Sequence, residues 1–220
     1  MRKPAIALLL SLLSLVAGAQ PSTSMTPRVR FETAFGDFTV ELDSVRAPLT
    51  AENFLQYVRE KAYDGTIFHR VIPNFVVQGG GYDAGLAPRQ ARATIANESG
   101  SGLTNRRGTI GLAREDSPHS GSSQFYFNLV DNPGLDPLPS RWGYAVFGQV
   151  VEGMEVIDRI AHLPTGNVDG FGPDVPVDRP LLRRAYVLEA APAATVPQAP
   201  PPPAADPETP PASAGAGETR

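Results

Sequence analysis

The sequence predicts a mainly β domain, most economically a closed antiparallel barrel. Many short strand-like runs recur between residues 28 and 189, whereas only two segments show helical spacing. No repeated strand-helix-strand unit links them, so a parallel sheet has no crossover connections to draw on. Closing an antiparallel sheet into a barrel leaves no open edge.

The elements follow in order. VRFETAFGDFTVELD, residues 29–43, alternates apolar residues on either side of Gly36-Asp37 and predicts two antiparallel strands joined by a tight turn there. LTAENFLQYVREKAYDG predicts a helix from Thr50 to Ala62, with Thr50 as N-cap, Glu52 in the first turn, and Phe54, Leu55 and Val58 on one face before Gly65. Strands are expected over 66–72, 75–79, 109–113 and 123–130, and another in WGYAVFGQVV at 142–151. GMEVIDRIAHL places Met154, Ile157, Ile160 and Ala161 at helical spacing, and LLRRAYVLEA supplies a last strand. Two irregular stretches remain, 81–108 and 164–180, and loops of that length are usually functional or structured by their own contacts.

With 220 residues and 41% hydrophobic composition, one substantial core with appendages is expected. Residues 1–19 combine basic Arg2 and Lys3, an apolar run from Ala5 to Val16 and the small residues Ala17-Gly18-Ala19: a secretory signal peptide, cleaved after Ala19. The run is shorter than the ~20 residues of a membrane span, so no stable membrane insertion is expected once the signal is removed. A short linker, 20–27, leads to the domain at 28–189. Residues 190–220 hold nine of the 23 prolines and almost no large apolar side chain, which predicts a disordered tail. Losing Arg2 and Lys3 takes the formal charge from −4 to −6, which argues against a nucleic-acid partner. The chain has no cysteine, so thiol nucleophiles, thiolate metal ligands and disulfides are excluded.

Several reactive constellations can be set aside. His69, His119 and His162 lack carboxylates at metal-ligand spacing, and no metal is expected. REDSPHSGSS clusters Asp116, Ser117, His119 and Ser122 without the glycine-flanked serine elbow of a hydrolase. Gly79 to Ala84 meets the glycine pattern of a dinucleotide turn, but Gly85 and Pro88 exclude the helix that must follow. What survives is a set of apolar and amide side chains around one arginine, in FHRVIPNFVVQGGG, GTIGLAR and SSQFYFN. At strand period Phe68, Arg70 and Ile72 share one face and His69 the other. A guanidinium on an apolar face must be paired, reach water or serve a ligand.

These blocks resemble the cyclophilins, peptidyl-prolyl cis-trans isomerases, from about Val29 to Glu189. F-H-R-V-I-P-x-F-x-x-Q-G-G, G-T-I-x-x-A, S-Q-F and F-G-x-V-V-x-G-M occur in the family's order. IANESGSGLTNRRGTIGLAR and RWGYAVFGQVVEGMEVID look most like the bacterial exported branch. The resemblance implies a closed eight-stranded barrel capped by two helices, with no cofactor. It places the catalytic arginine at Arg70 and the proline pocket at Phe75, Val76, Tyr126 and Leu135. Gln78, Ala113, Arg114 and Gln124 match positions that contact the substrate backbone, while Phe125 and Phe127 are left for core packing. Against the best-known eukaryotic pattern, Val76 replaces methionine, Arg114 asparagine, Tyr144 (a further pocket position) histidine, and Gly134 the tryptophan associated with tight cyclosporin binding.

Two functions are therefore expected to compete: an isomerase acting on X-Pro bonds of exported polypeptides, and a proline-recognising binding module or holdase with incidental catalysis. The partners implied are proline-containing unfolded or nascent exported chains, met by a monomer in the periplasm or outside the cell.

Overall fold

The computed structural model describes residues 26–188. The expected signal peptide, most of the linker and the tail from Ala190 lie outside that range. Strand β1 (Arg28–Thr33) pairs antiparallel with β2 (Gly36–Leu42). Their turn is Ala34-Phe35, two residues earlier than Gly36-Asp37. The reason is local: Thr33 Oγ1 accepts from the Phe35 amide at 3.0 Å and donates to the Gly36 carbonyl at 2.6 Å. Gly36, with φ +118°, opens β2 in a conformation that only glycine adopts freely.

Helix α1 spans Pro48–Arg59, with Ala47 at the N-cap and Pro48 in the first turn, where a missing N–H costs nothing. Thr50 is thus inside the helix rather than its cap. The role of cap falls to Glu98, far along the chain: its carboxylate accepts from the Leu49 amide at 3.1 Å, and from the Thr50 amide at 2.8 Å and hydroxyl at 2.7 Å. Three donors at the positive end of the helix are satisfied by one anion. The same contact pins the 81–108 stretch to the domain.

The expected strand 66–72 is broken. Thr66–Ile67 (β3) pairs with the last strand, Leu181–Leu188 (β11), whereas Arg70–Ile72 (β4) pairs with Val76–Gly79 (β5). Phe68 and His69 belong to neither ladder, so alternation restarts there. Phe68 enters the core with Val71, and Arg70 goes to the outer face, not to the face of Phe68. Beyond these come β6 (Thr109–Leu112), β7 (Phe125–Asn128), β8 (Val146–Glu152) and α2 (Met154–Ala161). The stretch 164–180 is not irregular but a hairpin, β9 (Thr165–Val168) with β10 (Gly172–Pro176), outside the main sheet.

The main sheet is an open ladder of nine strands, β3-β11-β1-β2-β8-β6-β7-β5-β4, and not the closed eight-stranded barrel. Its two edge strands are nonetheless consecutive in the chain, joined by Phe68-His69. The sheet therefore curls until covalent chain, rather than a hydrogen-bond ladder, spans the gap. Inside lie Phe31, Phe38, Phe54, Phe125, Phe127 and Phe147, all at most 1% exposed. Phe31 stacks on Phe38 at 4.6 Å, and Phe127 meets Phe38 edge-on at 5.2 Å. Each such pair adds about 0.5–1.5 kcal/mol beyond its buried area. α1 packs against β8 and β11, and α2 against β2, β4 and β5. Among the described residues no helix is long and apolar enough to cross a membrane.

The external cap generates a test. Glu98→Ala leaves three donors of α1 without their anion and is expected to cost about 1–2 kcal/mol, read by urea denaturation. Glu98→Gln, which keeps acceptor capacity, should lose less; equal stability of Glu98→Ala and wild type would contradict the capping role.

Candidate functional site

The outer face of β4, β5, β7 and β6 carries the candidate site, because the pleat sends every second side chain outward. Arg70 pairs with Gln78, Gln78 with Tyr126, and Tyr126 with Gly111, so these four stand in one row across four strands. The next row holds Ile72, Val76 and Asn128. The alternate residues Val71, Val77, Phe127 and Ile110 fill the core at 0% exposure. Gly111 has to be glycine, since a Cβ there would run into the Tyr126 ring.

Val76 and Tyr126 are 3% and 4% exposed although they lie outside the core cluster. They form a buried apolar floor; Phe75, next to Val76 in the chain, and Leu135 are half-buried. Leu135 comes from a single 3-10 turn at Pro133–Leu135, and its carbonyl accepts from the Tyr144 amide at 2.9 Å. Tyr144 meets Tyr126 edge-on at 6.1 Å, and the Arg114 guanidinium lies 4.4 Å over the Tyr144 ring. Arg114 is otherwise spent on carbonyls: Gly143 at 3.2 Å, Trp142 at 3.0 Å and Glu115 at 2.8 Å. It braces the rim more than it offers a free charge.

Arg70 keeps 40% of its side chain exposed. Its Nη1 donates to Gln78 Oε1 at 3.4 Å, and Gln78 Nε2 donates to Gln124 Oε1 at 2.8 Å. Gln124 in turn offers its carbonyl to the Ala113 amide at 2.9 Å. All ten residues expected at the site thus belong to one neighbourhood. A groove of about 320 Å³, lined by Gln78, Tyr82, Arg89, Ala113, Arg114 and Gln124, opens beside it. No group of histidine and carboxylate side chains that could hold a metal occurs among the described residues.

Sequence reasoning missed the amides beneath the floor. Tyr126 donates its hydroxyl to Asn105 Oδ1 at 2.6 Å, and Asn105 Nδ2 donates to Asp136 at 2.8 Å, tying the 81–108 stretch to the turn that carries Leu135. Asn132 Nδ2 donates to the Phe75 carbonyl at 3.0 Å and to Asn128 Oδ1 at 2.7 Å. Buried amides survive only when their hydrogen bonds are met, and here the partners are the pocket residues themselves. Nothing in local sequence distinguishes Asn105 from a loop asparagine.

His69 is 4% exposed, edge-on to Tyr82 at 4.7 Å, and its Nδ1 has no hydrogen-bond partner among the described residues. Burial pushes its pKa down to about 4, with the Arg70 charge acting in the same direction. The imidazole is therefore neutral at physiological pH, a packing element beside the site and not a proton carrier.

Comparison with known proteins bears on this geometry. Residues 28–183 match the family model described as cyclophilin type peptidyl-prolyl cis-trans isomerase/CLD. A peptidyl-prolyl cis-trans isomerase of Acinetobacter baylyi is 45% identical over 148 residues, covering 67% of this chain and 78% of that protein. Peptidyl-prolyl cis-trans isomerase B of Escherichia coli is 42% identical over 164 residues, 73% of this chain and 99% of the relative. The crystal structure of a cyclophilin-type isomerase from Cryptosporidium parvum superposes with a TM-score of 0.62 at 24% identity, covering 76% of this chain and all of that one. The same protein, solved in the presence of the dipeptide Ala-Pro, gives 0.60 at 25% identity over 74% of this chain and 99% of that one.

The depressed His69 pKa predicts a pH dependence of stability. Its folded value, about 4, lies below the ordinary 6.5, so the unfolded chain binds the extra proton first. The stability is fully present above pH ~6.5 and is lost as pH falls toward ~4, by up to about 3 kcal/mol. Between pH ~6.5 and ~4 the Tm of wild type should fall more steeply than that of His69→Phe, which lacks this titration; an unchanged acid slope in His69→Phe would contradict it.

Proposed function

The chain belongs to the cyclophilin-type peptidyl-prolyl cis-trans isomerases, and from that premise we propose that Arg70 is the transition-state donor for rotation about X-Pro bonds in exported polypeptides. The observation that carries this is one juxtaposition: a half-exposed guanidinium in register with Gln78 and Tyr126, beside an apolar floor of Val76 and Tyr126.

Rotation about a prolyl bond is slow because it breaks amide resonance, with a barrier of ~18–20 kcal/mol. Midway, the nitrogen loses conjugation, pyramidalises and gains a lone pair. A fixed donor aimed at that nitrogen binds the twisted state and not the planar one, which is the requirement for catalysis. Arginine stays charged throughout the working range and presents its donors in a planar fork. The apolar floor of Phe75, Val76, Tyr126 and Leu135 holds the ring while the preceding carbonyl swings, and it excludes water that would compete for the donor. Gln78, Gln124 and the Ala113 backbone are placed to hold the flanking peptide. The Ala-Pro dipeptide, in whose presence the Cryptosporidium protein was solved, carries one X-Pro bond.

Clients in the periplasm or outside the cell follow from the leader expected at residues 1–19, with its basic start, apolar run and Ala17-Gly18-Ala19. No bond is made or broken in the proposed step, and no cofactor enters it.

Arg70→Ala is expected to lower kcat/KM on a proline-containing peptide by about 10²–10³-fold, measured by exchange NMR, with Arg70→Lys nearly as slow because a point charge replaces the planar fork. Wild-type rates in Arg70→Ala would sink the proposal. Since arginine does not titrate and His69 stays neutral, the rate should be flat between about pH 6 and 8; a steep bell in a pH–rate profile argues for a different mechanism.

A further inference from the structure

Hairpin β9–β10 lies outside the main sheet, yet β10 packs on β4, the strand that carries Arg70. Its own ladder is irregular. Gly172 pairs with Val168 and Val175 with Gly166, so the stretch between them on β10, Pro173-Asp174, faces the single residue Asn167. Such a bulge re-aims a side chain, and bulges are concentrated next to active sites. Here the re-aimed side chain is Asp174, whose Oδ2 lies 3.7 Å from Arg70 Nε.

The bulge is braced on both sides. Before it, Phe171 meets Tyr82 edge-on at 4.8 Å and His69, the residue preceding Arg70, at 6.4 Å. After it, Val175 is 3% exposed. Asp174 is therefore presented from an anchored support. Its ion pair is of little use for stability, because both side chains remain about a third or more exposed and water screens the attraction. What it can do is limit where a long flexible arginine points.

We propose that Asp174 is a positioning residue for Arg70. The carboxylate holds the Nε side of the guanidinium and Gln78 holds Nη1, so the planar fork is restrained from two directions. The Asp174 contact is an ion pair at 3.7 Å and not a hydrogen bond, so it restrains by charge; among the described residues Nη2 meets neither Asp174 nor Gln78, and it is the donor we assign to the substrate. A restraint of this kind acts on the transition state, where the angle of the donor matters, more than on ground-state binding by the apolar floor. The inference rests on Arg70 being the donor.

The test is a double-mutant cycle on the full chain, with wild type, Asp174→Asn, Arg70→Ala and the double variant assayed for kcat and KM on one proline-containing peptide, and melted in parallel. Asp174→Asn is expected to lower kcat by about 3–10-fold with KM within about twofold, and to add no further loss in the Arg70→Ala background. Asp174→Glu, which keeps the charge, should retain more of the rate than Asp174→Asn. A wild-type kcat in Asp174→Asn, a loss confined to KM, or an equal loss with and without Arg70 overturns the proposal. A lowered Tm with a matching loss in the Arg70→Ala background overturns it as well, by identifying a structural role. Arg70→Ala as fast as wild type overturns the donor assignment itself, whereas failure at Asp174 with a slow Arg70→Ala leaves that assignment standing.

Discussion

The two-residue pleat of β4, β5, β7 and β6 is the constraint on which both core and candidate site depend. One set of side chains, Val71, Val77, Phe127 and Ile110, is sent inward and lies wholly out of water. The alternate set, Arg70, Gln78, Tyr126 and Gly111, is sent outward as a row across four strands. A one-residue slip would bury a guanidinium and expose phenylalanine, so burial of the aromatic core also sets the register of the site. The break at Phe68-His69 serves the same end. It lets Phe68 fill the core while Arg70, two residues on, faces out, which an unbroken strand would forbid.

The row of side chains is framed by segments outside the sheet. The 81–108 stretch has no helix or strand of its own and is held by main-chain bonds such as Ile95 to Gly121 and by side-chain ones: Glu98 to α1, Asn97 to the Gly143 carbonyl at 3.0 Å, Asn105 to Tyr126 and Asp136. Each matters, since a buried amide that loses its partner costs about 1–3 kcal/mol. The loop that carries Leu135 and Tyr144 is held in turn through Asp136 and Gly143. Pocket wall and helix cap are thus parts of one polar frame around an apolar floor.

This arrangement divides labour by chemistry. The apolar residues provide shape and low dielectric, which need burial. The charge proposed to act on the substrate needs access to it, and Arg70 sits at the margin with 40% of its side chain exposed. Its neighbours Gln78 and Gln124 are neutral, so they orient without competing for charge. His69, adjacent in sequence, is neutral because it is buried, and it leaves Arg70 free of a like charge at physiological pH.

The sequence by itself determined the mainly β class, both helices to within a few residues, and the grouping of Arg70, Phe75, Val76, Gln78, Gln124 and Tyr126. The class and the helices were legible because period-two alternation and helical spacing are local; the grouping, which joins Gln78 to Gln124 across 46 residues, came from the order of motifs shared with the cyclophilins. The position of the Phe125, Tyr126 and Phe127 rings on opposite faces follows from the same alternation. Only the tertiary structure decided that 66–72 splits into two edge strands, that 164–180 forms a hairpin, and that Glu98, Asn105 and Asp174 come to lie against α1, Tyr126 and Arg70. Those are contacts between residues distant in the chain. An isolated Glu, Asn or Asp in a loop carries no sign of its partner until the apolar core has folded and brought the two together.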